Sequence, residues 1–166
     1  SVIGAAICRV LVEKGMKVVG AAKSIKKVQA VSEELVGRKG SMIAIHCDIT
    51  KDEDVLALFE SIKNKFGGVD VCINSASLDT FTTLLDGNPN KWRNMLNVNV
   101  VGLCLCTREA IASMQQRGID DGQIIHLNNI AGHYVSSPGS VSAMYTASKF
   151  AVTALTEGLR QELRQA

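Results

Sequence analysis

Apolar positions along the chain follow two spacings that alternate from one end to the other. Short runs of consecutive apolar residues predict buried strands, and apolar residues that recur every three or four positions predict helices. The predicted strands are 17–22, 42–47, 69–74 and 123–127. The predicted helices are 3–14, 24–36, 50–66, 90–116 and 143 onward.

Polar residues and glycines mark the ends of two of these helices. Ser24 is placed to cap the second helix, and Thr50 with Glu53 three residues later has the form of a capping box at the start of the third. Gly37 and Gly67 follow the same two helices, at the position where glycine commonly ends a helix.

The alternation of strands and helices predicts an α/β fold. Parallel strands need a crossover connection, usually a helix, so this order is typical of a doubly wound parallel sheet. No linker or repeat interrupts the pattern, and we expect residues 1–166 to form a single domain. In such folds ligands bind beyond the carboxyl ends of the strands. The residues that follow the predicted strands are Lys23, Asp48, 74–77 and 128–132.

Composition and charge exclude several classes of protein. Of the 166 residues, 46% are hydrophobic and 20% are charged, which is typical of a folded globular domain. The net charge is +2 and no basic run exceeds two residues, so we expect no nucleic-acid partner. No apolar stretch reaches the ~20 residues that a spanning helix needs, so we expect no membrane span.

Cysteine and histidine spacing predicts no metal site. The five cysteines lie in apolar runs and lack zinc-ligand spacing, so we expect reduced, buried thiols and a cytoplasmic location. His46 and His126 fall in predicted strands, where a buried neutral imidazole is the simpler interpretation. His133 falls in a loop.

The strongest chemical signal is Tyr145 with Lys149 four residues later, at the start of the last helix. Residues four apart share a helix face, with their β-carbons about 5–6 Å apart. A nearby ammonium stabilises the phenolate and lowers the pKa of tyrosine, which can then exchange a proton with a carbonyl or an alcohol. The alternative is a surface tyrosine beside a solvated lysine. The position of the pair at the ligand-binding edge of the sheet favours catalysis.

The motifs occur in the order of a known family. They are Asn-Ser-Ala-Ser at 74–77, Asn99, Leu-Asn-Asn-Ile-Ala-Gly at 127–132, and the pair Tyr145 and Lys149. On these motifs the chain resembles a short-chain dehydrogenase/reductase over essentially all 166 residues. Segments 91–93, 97–100 and 153–164 are most similar to its insect farnesol-dehydrogenase-like and member-eleven-like groups.

The resemblance implies a Rossmann-type sheet, a nicotinamide cofactor and hydride exchange between an alcohol and a carbonyl compound. It implies that the family's first strand and last strands lie outside this chain, so that residues 1–166 form a partial NAD(P)-binding domain. The family commonly pairs through the long helix and the last helix, which implies a homodimer or homotetramer.

For cofactor binding, the resemblance implies residues at the first helix and at the strand ends. Ile3 and Gly4 match the end of the family's glycine-rich turn, in which Val2 replaces the middle glycine. Lys23 stands where members that use NAD carry an acidic residue, so NADP is implied over NAD. The other matches are Asp48, Ile49, Asn74, Ala76, Tyr145 and Lys149. Asp48 matches the residue that bonds the adenine amino group, and its alternative role is helix capping.

For catalysis, the resemblance implies that Tyr145 exchanges the proton and that Lys149 holds the nicotinamide ribose and lowers the pKa of Tyr145. Asn99 matches a residue that supports a proton relay behind the lysine. Asn129 stands where the family has a serine that holds the substrate oxygen. An amide can donate a hydrogen bond to that oxygen but cannot pass a proton as a hydroxyl does.

Two functions stay open at this point. The first is hydride exchange between NADP(H) and a small apolar alcohol or ketone, with farnesol-like and steroid-like carbonyl compounds as candidates. The second is a catalytically impaired or inactive member of the family. Val2, Ser77 and Asn129 indicate the second, because each replaces a family residue that faces a ligand.

Overall fold

The computed structural model describes residues 1–136 and 141–164, and the statements below concern these residues. The helices are α1 (Val2–Glu13), α2 (Ile25–Glu34), α3 (Asp52–Phe66), α4 (Pro89–Leu96), α5 (Leu103–Gln116) and α6 (Ala143–Leu163). The strands are β1 (Lys17–Ala22), β2 (Ser41–His46), β3 (Val71–Asn74) and β4 (Gln123–His126). Residues 137–140, in the loop before the last predicted helix, and the end of that helix at 165–166 lie outside the described residues.

The described strands form two parallel pairs. β1 pairs with β2 from Lys17 opposite Ser41 onward, and β3 pairs with β4 from Val71 opposite Gln123 onward. A helix connects the two strands of each pair, as parallel pairing requires. The α/β fold with parallel strands that the pattern predicted is therefore confirmed.

Apolar stripes on the helices cover the strands. Val55, Leu58 and Ile62 lie on one face of α3 and form a buried cluster with Leu105 and Cys106 of α5. Their spacing of three and four residues is the helical period that the sequence shows. A second cluster packs α1 and α2 against β1. All five cysteines are free thiols, but the expectation that all are buried is wrong: Cys47 and Cys106 are buried, whereas three lie partly exposed where neighbouring elements leave their faces uncovered, namely Cys8, Cys72 and Cys104.

The predicted capping box at Thr50 is wrong. Lys51 occupies the cap position of α3, and the Thr50 hydroxyl donates instead to Asp48 Oδ1 at 2.7 Å. A cap would need the Thr50 oxygen to accept from a helix N–H, whereas here the hydroxyl donates to a carboxylate in a charge-assisted hydrogen bond and is oriented towards Asp48. The start of α3 has no side-chain cap, but acidic residues in its first turn interact favourably with the positive end of the helix dipole.

The long predicted helix 90–116 consists of three segments. Between α4 and α5, residues Asn97–Gly102 form a π-helix, whose wider turn buries Asn99. Gly102 ends this segment against the chain after β2, where a β-carbon would lie 2.7 Å from the Ile49 carbonyl oxygen. π-helical turns often occur at functional sites, and this one carries a predicted site residue.

The same stretch, Pro89–Gln116, is the described helix that matches a membrane span by length and apolar composition. Its most apolar window is 44% buried within the fold. Asn99, near its centre, is hydrogen-bonded to Leu78 and to Ser148 of α6. That environment is typical of a core helix, and the expectation of no membrane span stays a prediction.

His46 does not have the buried position that its strand predicted. Its side chain is 56% exposed and lies 3.7 Å from the Asp54 carboxylate. His46 is the last residue of β2, which pairs on one side with β1, and its side chain lies at the open end of that pair. His126 is half-buried, in line with its predicted position in a strand.

Candidate active site

The residues predicted from position lie at the carboxyl ends of the strands. Lys23 follows β1, Asp48 follows β2, Ser75 follows β3, and Asn129 lies just beyond β4. Each parallel pair presents the carboxyl ends of its strands on one side, so the structure places these residues at the edges where ligands bind in α/β folds.

Tyr145 and Lys149 are buried in the first turns of α6. Ser142 caps this helix by accepting a hydrogen bond from the Tyr145 N–H at 3.0 Å. Tyr145 is 8% exposed and Lys149 is 3% exposed, so the alternative of a surface tyrosine beside a solvated lysine is wrong. Lys149 Nζ lies 5.6 Å from the centre of the Tyr145 ring and donates to the Leu127 carbonyl at 3.5 Å.

The electrostatics of this pair suit proton exchange. Burial lowers the pKa of Lys149, because desolvation disfavours the ammonium. Lys149 is a cation that lies over the Tyr145 ring, so the pair places an acid–base phenol beside a positive charge. The arrangement can therefore donate a proton to a substrate oxygen, or accept one from it.

The walls around Tyr145 come from the segments that follow β3 and β4. Tyr145 forms a buried cluster with Met95 of α4 and Ala131, and Leu78 packs against that cluster. Leu78 directly follows the predicted motif 74–77, and Ala131 lies two residues after Asn129. The fold thus brings the segments that follow β3 and β4 together at Tyr145.

Asn99 fixes the chain after β3 to α6. Its side chain accepts from the Leu78 N–H at 2.7 Å and donates to the Leu78 carbonyl at 2.8 Å. It also donates to Ser148 Oγ at 2.9 Å, next to Lys149 in the sequence. Asn99 is 1% exposed, so these bonds replace all of its contact with water.

Asn129 is exposed at the end of β4, at the start of the short 3₁₀ turn Ile130–Gly132. Its Oδ1 accepts a hydrogen bond from the Ala131 N–H at 2.9 Å. With the oxygen bound to the turn, the amide nitrogen is the part of the side chain that remains as a donor. Asn129 can therefore donate to a substrate oxygen while it caps the turn.

The N-terminus of α1 lies against the segment after β3. Ser1 caps α1 by accepting from the Gly4 N–H at 2.9 Å, and its hydroxyl lies 3.4 Å from the Ser75 hydroxyl. A β-carbon at Gly4 would lie 3.2 Å from both hydroxyl oxygens, so Gly4 keeps this approach open. Ile3, in the same turn, is 64% exposed.

Lys23 and Asp48 form an ion pair at the ends of β1 and β2. Lys23 Nζ lies 2.7 Å from Asp48 Oδ2, and the Asp48 side chain is 9% exposed while that of Lys23 is 78% exposed. The hydrogen bond from Lys23, followed by the one from Thr50, lowers the pKa of Asp48 to about 2. Asp48 is therefore ionised at neutral pH, and it holds an exposed cation at the strand ends.

The remaining predicted cofactor residues lie around this edge. The side-chain amide of Asn74 donates to the Thr107 hydroxyl of α5 at 3.0 Å. The backbone carbonyl of Asn74 accepts from the Leu127 N–H at 3.0 Å. Asn74 therefore joins β3 to β4 and α5. Ala76 is exposed two residues later, and Ile49 packs against Gly102.

Sequence reasoning missed two residues that hold this arrangement. Ser142 could have been found, because a serine three residues before Tyr145 and directly before the helix has the pattern of an N-cap. Ser148 is 0% exposed and joins Asn99 to the Tyr145 carbonyl, and nothing in its sequence neighbourhood signals that contact.

A family model described as short chain dehydrogenase matches residues 1–166. Human "Dehydrogenase/reductase SDR family member 11" is 49% identical over 99% of this chain and 64% of that protein. "Farnesol dehydrogenase" of Aedes aegypti is 44% identical over 99% of this chain and 67% of that protein. The chain thus spans about two thirds of the length of these curated relatives. The family resemblance noted in the sequence is confirmed, and both groups that it named are among these relatives.

Solved structures agree with the fold. A short-chain type dehydrogenase/reductase from Mycobacterium marinum superposes with a TM-score of 0.92 at 28% identity, covering 98% of this chain and 63% of that one. A metagenomic short-chain oxidoreductase in complex with NADP superposes with a TM-score of 0.89 at 31% identity, covering 98% of this chain and 72% of that one.

Proposed function

This chain belongs to the short-chain dehydrogenase family, and from that premise we propose that it carries the proton-exchange and cofactor-binding parts of an NADP(H)-dependent oxidoreductase for small apolar alcohols and ketones. The observation that carries the proposal is the buried pair of Tyr145 and Lys149 at the strand ends. Within residues 1–136 and 141–164 no carboxylate forms an ion pair with Lys149, so burial of its charge costs free energy, and titratable groups in such environments cluster at functional sites.

The residues at the strand ends fit a phosphorylated dinucleotide. Gly4 leaves room beside the Ser1 and Ser75 hydroxyls at the positive end of α1, where a pyrophosphate is favoured. Lys23 offers an exposed ammonium at the end of β1, where a 2′-phosphate would lie. The metagenomic relative in complex with NADP supports the same cofactor class. When bound, NADP(H) would supply or accept the hydride.

The chain's own residues would handle the proton. Tyr145 would donate its hydroxyl proton to the carbonyl oxygen in reduction, and would take it back in oxidation. Lys149 would stabilise the phenolate between these steps, and Asn99 would hold the first turns of α6 in place through Ser148. Asn129 would donate from its amide to the substrate oxygen, as amides do in some oxyanion holes.

Exposed apolar side chains on two loops support an apolar substrate. Phe81, Leu84 and Leu85 lie in the segment between β3 and α4 and are at least 62% exposed. Ile130 and Val135 lie in the segment after β4 and are 76% and 66% exposed. Both segments flank the walls of Tyr145, and binding an apolar ligand would remove their surface from water.

Exposed apolar side chains on the long helical stretch and on α6 support association of two copies through these helices. Val101 on the long helical stretch is 54% exposed, and Phe150 and Leu163 on α6 are 42% and 45% exposed. A second copy that covered these side chains would bury apolar surface that is otherwise in water. We propose a homodimer, or a homotetramer built from it.

An impaired or inactive protein is the second candidate, and Asn129 is the observation that favours it. Its oxygen is bound to the Ala131 N–H, so the side chain offers one kind of donor where the family's serine offers a hydroxyl. NADPH oxidation with a panel of aliphatic, terpenoid and steroid ketones distinguishes the two candidates. We expect turnover with at least one ketone by the complete gene product, and background rates throughout would favour the inactive protein.

Lys23→Ala is expected to lower the preference for NADPH over NADH by about 10- to 100-fold, the contribution of a hydrogen bond between charged groups. The substitution removes the cation and leaves the Asp48 carboxylate unpaired, which repels a 2′-phosphate. The measurement is the ratio of kcat/KM for the two cofactors. Lys39→Ala removes the same charge just before β2, at the opposite end of the strands, and should leave the ratio unchanged. If Lys23→Ala and Lys39→Ala gave the same ratio of kcat/KM for NADPH and NADH, a role for Lys23 in cofactor preference would be rejected.

A further inference from the structure

Three consecutive residues at the end of β4 bond to three residues on one face of α6. The pairs are His126–Thr156 at 2.9 Å, Leu127–Lys149 at 3.5 Å and Asn128–Thr153 at 2.9 Å. We call these pairs the β4–α6 seam. The helix residues are spaced by four and three positions, so they share one face of α6.

Thr153 both accepts and donates a hydrogen bond through its hydroxyl in the seam. The hydroxyl accepts from Asn128 Nδ2 at 2.9 Å and donates to the Gly132 carbonyl at 2.9 Å, with a longer 3.3 Å contact to the Lys149 carbonyl. These bonds hold both ends of the segment that follows β4, because Asn128 begins it and Gly132 ends it.

Gly132 shows how closely this segment lies on the helix. A β-carbon at Gly132 would lie 2.6 Å from Asn128 Nδ2 and 2.8 Å from the Lys149 carbonyl oxygen, so no other residue fits there without displacement. The segment and α6 are therefore in direct contact at Thr153.

His126 extends the seam inward. Thr156 donates its hydroxyl proton to the Val152 carbonyl at 2.7 Å, so it accepts from His126 Nδ1–H. His126 Nε2 is then an acceptor for the Thr107 hydroxyl of α5 at 3.1 Å. Burial lowers the pKa of His126, which favours this neutral form.

The seam fixes the two sides of the proposed reaction site relative to each other. Asn129 directly follows Asn128, and Tyr145 lies one helical turn before Lys149 and two before Thr153. We propose that Asn128 and Thr153 are positioning residues, which hold Asn129 opposite Tyr145 so that both can reach one substrate oxygen. This inference rests on the proposed function.

A matched pair of substitutions tests the proposal in the complete gene product. Thr153→Val keeps the shape and removes the hydroxyl, while Thr153→Ser keeps the hydroxyl. We expect Thr153→Val to lower kcat for ketone reduction roughly 10-fold, since a displacement of 1 Å can cost up to about 10²-fold. The NADPH Kd should stay unchanged, and Thr153→Ser should restore kcat to near the parent value.

A stability control separates positioning from a general loss of packing. Ile62→Ala leaves a cavity in the α3–α5 cluster, away from the seam, and should lower the melting temperature at least as much as Thr153→Val. At temperatures where all variants are folded, Ile62→Ala should keep the parent kcat. The proposal is overturned if Thr153→Val keeps the parent kcat, or if Thr153→Ser is as slow as Thr153→Val.

A readout that needs no turnover tests the contact itself. We expect the Asn128 side-chain amide proton that is donated to Thr153 to exchange with water more slowly than the other proton of that amide in the parent and in Thr153→Ser, and equally fast in Thr153→Val, as measured by NMR. Equal exchange rates of the two protons in the parent would overturn the seam contact. If no ketone is reduced but the amide protection follows this order, the contact between Asn128 and Thr153 is supported and the proposed function alone is rejected.

Discussion

Tyr145→Phe is expected to lower kcat for ketone reduction by about 10²–10⁴-fold, the range over which a positioned general acid contributes to rate. Phenylalanine keeps the ring that packs against Met95 and Ala131 and removes the hydroxyl alone. The tyrosine hydroxyl that would protonate the substrate oxygen is then absent, while Lys149 remains in place. The measurement is steady-state NADPH oxidation at saturating ketone, with the NADPH Kd determined on the same samples.

The other tyrosine of the chain provides the control. Tyr134 is 59% exposed in the loop after β4, and Tyr134→Phe removes the same hydroxyl from a solvated position. We expect it to keep the parent kcat. If both variants turned over equally, Tyr145 would not be the proton donor, and the inactive candidate would gain support.

Asn129→Ser is expected to raise kcat, by up to roughly 10²-fold, the lower end of what a positioned proton-transferring group contributes, because a hydroxyl can pass a proton and the amide cannot. A serine hydroxyl is smaller than the amide and can both donate and accept at the substrate oxygen. Serine is also a preferred N-cap residue, so the bond to the Ala131 N–H that holds the turn can persist. The measurement is kcat for the best ketone of the panel at saturating NADPH.

Asn129→Ala completes this series. It removes every donor from the side chain and should be slower than the parent, because the amide no longer reaches the substrate oxygen. A parent that is no faster than Asn129→Ala would show that the amide contributes nothing to the reaction. A rate that Asn129→Ser does not raise would place the barrier elsewhere, with Val2 and Ser77 as the next positions to revert.

The element order was predictable because it depends on local periodicity. The run 17–22 became β1 at the same residues, and the run 123–127 became β4 with one residue fewer. A strand or helix buries one face, and the spacing of its apolar residues along the sequence indicates which face that is. The cap at Thr50 was not predictable in this way, because its hydroxyl had an alternative acceptor in Asp48.

The pair of Tyr145 and Lys149 belongs to the same predictable class. Two residues four positions apart on a helix are neighbours wherever that helix packs, so the proximity of this pair could be predicted without knowledge of the fold. Whether the pair was buried or solvated did depend on the fold. The answer came from Met95 and Ala131, which belong to other elements.

The sequence determined the order of strands and helices and the Tyr145–Lys149 pair, because both depend on residues within a few positions of one another. It also determined the family, through short motifs and their order along the chain. The packing of the elements decided that Lys23 pairs with Asp48, that Asn99 bonds to Ser148 49 positions away, and that Thr153 meets Asn128. A hydrogen bond requires a donor–acceptor distance of about 3 Å, with a tolerance of a few tenths of an ångström. Residues far apart in the chain come within such distances only when the helices pack on the strands.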